Sequence, residues 1–560
     1  MRKIYDALIV GSGASGGWVA KELTERGMDV LMLEAGPPRI PTRDFTEHAW
    51  PYQMKFRGFR DQQKMLTDQP VQGLCYACDE YSHQFFVNDA EHPYTFPAGK
   101  PFMWIRGRQV GGKTFCWARE SYRYTDYEFK AASRDGYGED WPFSYAELEP
   151  YYDKVENFIG VSGSREGLPQ MPDGKFLPPM NLSCGAVLAK HVIEKQFGWR
   201  LMPDRVANLT VPHNGRPACH YCDQCQRGCY TASYFNSPAV TLPAAARTGR
   251  FSLLSDAVVS DVTMDKESRA TGVHYIDRVT RVHREARAQV IVLAAGALES
   301  TRILLNSRSS RFPKGVGNSN GILGHYLMDH FTLEGAGGEL ASLKSSQREP
   351  VGNPCGYLIP KYANTEGHKN SQFLRGYRFD GDASQQLYAH AFSTPGFGKQ
   401  WRETVRREIP YTFSITAQGE CLPRYDNYVE LDPEKKDAWG IPVLHIHAAY
   451  GENEHAMAKA MRQDVGNILD ALKVKHPTPP NEDLSVFGKN IHECGTARMG
   501  NDPQKSVLNR YNRLHDSKNV FVTDGASFVT QGCYEPTLTI MAISARAADH
   551  IAGAHERGDL

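Results

Sequence analysis

A glycine-rich turn between two short apolar segments limits what the N-terminal part of the chain can fold into. Tyr5 to Val10 has the length of a strand, and Gly11-Ser12-Gly13-Ala14-Ser15-Gly16 follows it directly. A helix-like segment, Gly17 to Arg26, then leads to a second apolar strand that ends at Glu34. This order of strand, glycine turn, helix and strand predicts a Rossmann-like βαβ unit that holds a dinucleotide.

Each glycine of this turn has its own expected role. Gly11 closes the turn, Gly13 lets the backbone approach a pyrophosphate, and Gly16 lets the helix pack on the strand. Glu34 lies 18 residues after Gly16, where an acidic side chain accepts hydrogen bonds from an adenosine ribose. The fingerprint alone fits FAD and NAD equally, and the alternative is a glycine-rich turn without a ligand.

Length and charge exclude some classes of protein. A chain of 560 residues is long enough for two or more structural units. Its 64 basic and 64 acidic side chains cancel, so the charge does not favour a nucleic-acid partner. No apolar run approaches the roughly 20 residues that span a bilayer, which predicts no direct membrane span. No signal peptide precedes the first strand, and this alone favours a cytoplasmic location.

The rest of the chain divides into an α/β part and a region of different texture. Phe251 to Val262 predicts a strand, and Val290 to Ala297 predicts a central parallel strand buried on both faces. Between residues 331 and 484, short segments predict an antiparallel sheet: Leu387 to Phe392, Tyr411 to Gln418 and Tyr428 to Leu431.

The segments after the predicted sheet complete this division. Glu452 to Leu472 predicts a long helix, and His476 to Pro480 predicts a linker. The α/β texture returns near the C-terminus, with a strand from Val520 to Thr523 and a helix that begins at Pro536. The sequence therefore predicts an α/β fold with a second unit built on an antiparallel sheet.

Four cysteines occur within eleven residues, at Cys219, Cys222, Cys225 and Cys229. The spacing C-x2-C-x2-C-x3-C is the ligand run of bacterial ferredoxins, in which thiolates hold iron. In that motif the fourth cysteine serves another cluster, so a three-iron cluster with one free cysteine and a four-iron cluster both fit. Zinc is the alternative metal, since thiolates also select it, and disulfides are the alternative without a metal.

Motifs near the C-terminus resemble the closing motifs of the glucose–methanol–choline (GMC) family of FAD oxidoreductases. They are His492-Glu493-Cys494-Gly495-Thr496-Ala497-Arg498-Met499-Gly500, Val520 to Ser527, and Glu535 to Thr539. The N-terminal fingerprint, the turn Gly107 to Thr114 and the Val290 to Ala297 strand match the family in the same order. The resemblance implies a discontinuous FAD-binding domain, residues 1–330 plus 485–560, which contains the cysteine loop, and a substrate-binding domain, residues 331–484.

The resemblance also implies a site and a reaction, the oxidation of an alcohol carbon by hydride transfer to FAD. His492 matches the family's catalytic histidine, which takes the hydroxyl proton. The second active-site position, usually Asn or His, falls on Glu535, which could bind the substrate or share a proton with His492. The implied cofactor-binding positions are Gly11, Gly13, Gly16, Glu34, Gly111, Gly112, Val259, Asp524, Pro536 and Thr537. No histidine follows Gly111 and Gly112 as it does in relatives with covalent flavin, so FAD is expected to be non-covalent.

The cysteine run resembles an insert of the bacterial sugar dehydrogenase branch of the family. This resemblance implies a small accessory subunit, a cytochrome c acceptor, and export to the periplasm together with that subunit. Trp117 to Arg123 resembles the glucoside 3-dehydrogenases, which oxidise the C3 hydroxyl of a sugar or glycoside to a ketone. The alternatives are oxidation at C1 or C2 as for glucose or gluconate, an oxygen-using alcohol oxidase, and a flavin-binding redox sensor without turnover.

Overall fold

The computed structural model describes residues 3–344, 354–407 and 409–560. Residues 1–2, in the segment searched for an export signal, and residues 345–353 and 408, in the predicted substrate-binding domain, lie outside that description. The helices are α1 (Ala14–Glu25), α2 (Pro41–Asp44), α3 (Gln62–Asp68), α4 (Asp126–Phe129), α5 (Ala131–Asp135), α6 (Tyr145–Ile159), α7 (Cys184–Phe197), α8 (Thr241–Arg247), α9 (Ala297–Asn306), α10 (Leu387–Ser393), α11 (Gly398–Arg407), α12 (Glu452–Leu472) and α13 (Thr537–Glu556). The strands are β1 (Ile4–Val10), β2 (Val30–Leu33), β3 (Met202–Pro203), β4 (Phe251–Leu254), β5 (Ala257–Met264), β6 (Ala270–Asp277), β7 (His283–Leu293), β8 (Phe331–Glu339), β9 (Tyr357–Ile359), β10 (Tyr377–Asp382), β11 (Thr412–Gly419), β12 (Tyr428–Lys436), β13 (Pro442–His447), β14 (Lys475–Thr478) and β15 (Val520–Val522).

A seven-stranded sheet joins the N-terminal and C-terminal parts of the chain. Its order is β4-β2-β1-β7-β6-β5, and β15 also pairs with β7. The strands β4, β2, β1, β7 and β15 pair in parallel. Strand β6 pairs antiparallel with β7 on one side and with β5 on the other. Val290 to Leu293 of β7 are fully buried, which explains their continuous apolar sequence.

The turn between β1 and α1 is packed too tightly for any residue but glycine at Gly16. A Cβ added to Gly16 would lie 2.0 Å from the carbonyl oxygen of Gly11. We expect Gly16→Ala to lower the free energy of unfolding by about 1–3 kcal/mol, the usual cost of overpacking. Gly466→Ala in α12 is the control, because a Cβ there meets nothing within 4 Å, and it should stabilise by about 0.4–1 kcal/mol. Denaturant midpoints of both variants measure this difference.

A six-stranded antiparallel sheet forms the second unit. Its order is β14-β8-β11-β10-β9-β3, so β3 reaches it from outside residues 331–484. The helices α7 and α12 pack against this sheet, and Ile193, Met461 and Phe413 are among the fully buried side chains of their shared core. The predicted fold class, an α/β unit with a second unit on an antiparallel sheet, is therefore confirmed.

Two predicted strand assignments are wrong. The segment that begins at Leu387 is helix α10 rather than a strand, because leucine and alanine are strong helix formers and no alternating apolar pattern opposes them. The strand predicted from Phe251 to Val262 is two strands, β4 and β5. They are separated at Asp256, which has a left-handed φ of 56°.

The predicted linker at His476 to Pro480 is also wrong. Lys475–Thr478 forms β14, which pairs with β8 at the edge of the second sheet. Pro477 lacks an N–H group, and an edge strand tolerates this because one side of it needs no partner.

Within the described residues, no helix is both long enough and apolar enough to cross a membrane.

Candidate active site

A cavity of about 1400 Å³, including its open mouth, lies at the carboxyl ends of β1, β2 and β7. Ligands bind at this edge in open α/β sheets. Eight of the ten predicted cofactor-binding positions line it: Gly11, Gly13, Glu34, Gly112, Val259, Asp524, Pro536 and Thr537. Gly16 packs behind this lining on Gly11, and Gly111 donates its N–H to Ser12 Oγ at 2.8 Å.

Two glycines leave space in the cavity that protein atoms do not fill. A Cβ on Gly13 would meet only Gly111 O, at 4.0 Å, and a Cβ on Gly296 would meet nothing within 4 Å. Helices α1 and α13 both begin at the cavity, and their N-terminal N–H groups suit negatively charged groups. The glycines and helix ends therefore fit a dinucleotide with a pyrophosphate, such as FAD.

Two buried carboxylates border the cavity. Glu34 Oε2 accepts hydrogen bonds from the N–H of Ser12 at 3.1 Å and from its hydroxyl at 2.6 Å. Asp524 Oδ2 accepts from Gly296 N–H at 3.0 Å and from Ser300 Oγ at 2.5 Å. Burial raises the pKa of both carboxyls above their ordinary values, although these hydrogen bonds oppose the rise. The two carboxylates thus hold the turns after β1 and β7 in place around the cavity.

His492 lines the same cavity, in a loop that its neighbours fix on two sides. Its N–H donates to Asp329 Oδ1 at 3.0 Å, and its carbonyl accepts from Gln531 Nε2 at 2.7 Å. A β-bridge between Met328 and Cys494 joins the loop to the segment before β8. The backbone of His492 is therefore held by segments far away in the sequence.

A second histidine, His330, controls which nitrogen of His492 carries a proton. His330 is fully buried, and its Nε2 lies 2.9 Å from the carbonyl oxygen of Gly532. Because a carbonyl only accepts, Nε2 of His330 must carry the hydrogen, and Nδ1 of the neutral ring is an acceptor. Nδ1 of His492 lies 2.8 Å from this acceptor and therefore carries a hydrogen itself. Nε2 of neutral His492 is then a bare acceptor, and no group in the described part of the chain bonds to it.

Burial lowers the pKa of His492 to about 3, and the cations Arg378 and Lys113 add to this effect. A proton acceptor must be neutral, and His492 loses its neutral form only as the pH falls through about 3. We expect the rate of flavin reduction to stay nearly constant as the pH falls from 6.5, the ordinary pKa of histidine, towards 3. Stopped-flow pH jumps test this, and an acid limb centred near 6.5 would contradict it.

Glu535 lies near His330 but is not in the cavity lining. Its Oε1 accepts hydrogen bonds from Arg378 and, at 3.0 Å, from Gln418. Burial would raise the pKa of Glu535, but the Arg378 guanidinium outweighs it and lowers the pKa. Burial and the charge of Glu535 raise the pKa of Glu120, which contacts the same guanidinium at 3.2 Å. His492 pairs with His330 at 2.8 Å, and a proton shared between His492 and Glu535 stays a prediction.

The four predicted metal-ligating cysteines lie in one loop. Cys225 and Cys229 are buried, and Cys219 and Cys222 are half-buried. Among the described residues, only Glu47, His220 and Cys222 bring three possible ligand atoms within 4.8 Å of one another. No three of the four sulfurs are that close together.

His330, Arg378 and Glu47 were missed in the sequence. His330 follows Asp329 in no recognised motif, and its contact to His492 spans 162 residues. Arg378 lies in a strand of the second sheet and reaches Glu535 across 157 residues. A charged side chain within a strand could have pointed to Arg378, whereas His330 and Glu47 lie outside the helices and strands and gave no such signal.

Known proteins resemble this chain over nearly its full length. Residues 5–332 and 423–544 match the N-terminal and C-terminal models of the family described as GMC oxidoreductase. The chain is 30% identical to 2-methyl-1,2-propanediol dehydrogenase of Mycolicibacterium austroafricanum, over 98% of this chain and 95% of the relative. It is also 30% identical to the fructose dehydrogenase large subunit of Gluconobacter japonicus, over 98% and 97%. The crystal structure of pyridoxine 4-oxidase from Mesorbium loti has the same fold, with a TM-score of 0.62 and 18% identity over 97% and 98%.

The family match and the cavity agree with each other. The matched residues include the glycine turn, His492 and Asp524, which border the same space. The protein is therefore a member of the GMC oxidoreductase family, whose FAD-binding enzymes oxidise CH–OH groups.

Proposed function

We propose that the protein is an FAD-dependent dehydrogenase that oxidises one hydroxyl of a sugar or glycoside, with C3 favoured, to a ketone. The observation that carries this proposal is the neutral His492, whose unoccupied Nε2 borders the cavity that fits FAD. The similarity to a fructose dehydrogenase large subunit supports a sugar as the substrate. Oxidation at C1 or C2 is the alternative within this class.

In this proposal the chain supplies binding, orientation and proton transfer. Bound FAD supplies a hydride acceptor. Nε2 of His492 accepts the hydroxyl proton, while His330 keeps the hydrogen of His492 on Nδ1. Glu535 lies outside the cavity lining, and in this proposal it turns its Oε2, which has no partner among the described residues, towards a substrate hydroxyl while Arg378 and Gln418 hold its Oε1. Residues 1–330 and 485–560 would hold the cofactor, and residues 331–484 would supply most of the substrate side.

We also propose that electrons leave through an iron–sulfur cluster on the loop with Cys219, Cys222, Cys225 and Cys229. An iron–sulfur cluster gives each thiolate its own iron, whereas a single zinc ion draws its four ligands together. Among the described residues, no three of the four sulfurs lie within 4.8 Å of one another as the thiolates of a single zinc ion would, and this supports a cluster over zinc. An accessory subunit and a cytochrome c acceptor would complete the route, and co-export with that subunit would place the protein in the periplasm. The Gluconobacter relative is itself a large subunit, which supports such a partner.

Substrate and acceptor can be tested together on the FAD-loaded protein. Mixed anaerobically with methyl glucoside, glucose or gluconate, it should lose its flavin absorbance, fastest with the glycoside. Magnetic resonance of the product should show a ketone at C3, and cytochrome c should be reduced. Flavin that stays oxidised with every sugar would overturn the proposal. Rapid peroxide formation in air, without cytochrome c reduction, would favour the oxygen-using alcohol oxidase.

A further inference from the structure

One side of the cysteine loop carries ligand types that a ferredoxin-like run does not explain. Glu47, His220 and Cys222 place a carboxylate oxygen, a ring nitrogen and a sulfur within 4.8 Å of one another. Cys222 Sγ lies 3.8 Å from Glu47 Oε2. Zinc bonded to a thiolate and a carboxylate at a tetrahedral angle holds these two atoms about 3.5 Å apart. The three residues, which we call the Glu47 triad, therefore have the spacing of ligands to a single ion.

The carboxylate of this triad is held in place before any ion arrives. Glu47 is 4% exposed, and its Oε1 accepts a hydrogen bond from the N–H of Tyr230 at 2.7 Å. Its other oxygen, Oε2, faces Cys222. Thr46 N–H donates to Arg227 O at 3.0 Å, which ties the segment around Glu47 to the cysteine loop. An outer contact on one carboxylate oxygen is the arrangement that orients metal-binding carboxylates.

The other three cysteines have different neighbours. Cys219 Sγ accepts the N–H of Tyr221 at 3.4 Å, and Cys225 Sγ accepts from Asn208 at 3.8 Å. Cys229 Sγ lies 3.3 Å from the hydroxyl of Thr231. In the described part of the chain, Cys222 alone of the four belongs to a group of three converging ligand atoms. Cys222 is therefore the cysteine that a three-iron cluster would leave over.

We propose that Cys222, Glu47 and His220 bind one divalent ion of the zinc class, beside a three-iron cluster on Cys219, Cys225 and Cys229. The cluster in this statement rests on the proposed function. One thiolate and one carboxylate balance the two charges of the ion, and imidazole is neutral. Three protein ligands leave the fourth tetrahedral position to water, because His220 is exposed at the surface.

Cobalt(II) is the probe, because a cobalt–thiolate bond absorbs light and so reports a cysteine ligand. The iron-replete, FAD-loaded protein is washed with chelator and titrated anaerobically with cobalt. We expect a thiolate-to-cobalt band that saturates at one ion per chain and is absent in Cys222→Ser. Glu47→Gln and His220→Asn should weaken cobalt binding by more than the roughly 10–100-fold that loss of an outer partner costs. Cys184→Ser and His283→Asn, at exposed positions elsewhere, are the matched controls and should bind as the wild type does.

Iron content and the EPR spectrum, recorded on the same samples, separate this proposal from the cluster. Iron-replete protein without the cobalt band, or a band that survives in Cys222→Ser, would overturn the metal site. Loss of iron in Cys222→Ser would show that Cys222 is a cluster ligand and would overturn it as well. A cobalt band in protein that never binds iron would support the triad and refute the cluster.

Discussion

Replacement of His492 by alanine is expected to slow flavin reduction by about 10²–10⁴-fold, the usual contribution of a general base. The substrate hydroxyl must lose its proton as the hydride leaves, and Nε2 of His492 is the acceptor that borders the cavity. Alanine removes the acceptor but no contact to the glycine turn, so FAD should stay bound. Anaerobic stopped-flow absorbance of the flavin measures the rate.

His283→Ala is the control for this prediction, because His283 lies at the exposed start of β7. The FAD-to-protein absorbance ratio shows whether either variant has lost its cofactor. If the His492 variant keeps FAD and reduces it at nearly the wild-type rate, another group accepts the proton.

Replacement of His330 by leucine is expected to slow flavin reduction by about 10–100-fold, as loss of an outer hydrogen-bond partner of a functional histidine does. Without an acceptor at 2.8 Å from its Nδ1, His492 can hold its hydrogen on either nitrogen. One of these tautomers turns an N–H towards the substrate and cannot accept a proton. The substrate concentration for half-maximal rate should change little, because His330 is fully buried and outside the cavity lining.

His330→Gln distinguishes this positioning role from simple packing. A glutamine amide can donate to Gly532 O and accept from His492 Nδ1, as His330 does. It should therefore recover most of the rate, whereas leucine, of similar bulk, should not. Equal losses in both variants, with equal changes in thermal stability, would mean that His330 only fills space.

Local patterns predicted much of the cavity lining. Gly11, Gly13 and Glu34 lie within one βαβ unit. The regular geometry of that unit determines where each residue lies, so their positions in the sequence predict their positions in the structure. Asp524 directly follows β15, a parallel strand whose carboxyl end lies at the same edge of the sheet. For such residues the direction of the strands fixes the location.

The contacts of His492 and Cys222 could not be predicted in this way. His330 meets His492 across 162 residues, and Glu47 meets Cys222 across 175. Each contact depends on how two separately formed segments pack, and no local periodicity records that packing. The edge strand with Pro477 shows the same limit, because its pairing with β8 overrides the local preference of proline for a loop.

We propose that a sugar hydroxyl reduces the flavin and that electrons then reach a cluster on the cysteine loop. The most direct test is the EPR spectrum of iron-replete, FAD-loaded protein before and after anaerobic addition of methyl glucoside. We expect a paramagnetic three-iron signal in the protein as isolated, and we expect the glycoside to diminish it as the flavin absorbance falls. Flavin that bleaches in protein without a cluster signal in either state, even after dithionite, would contradict it.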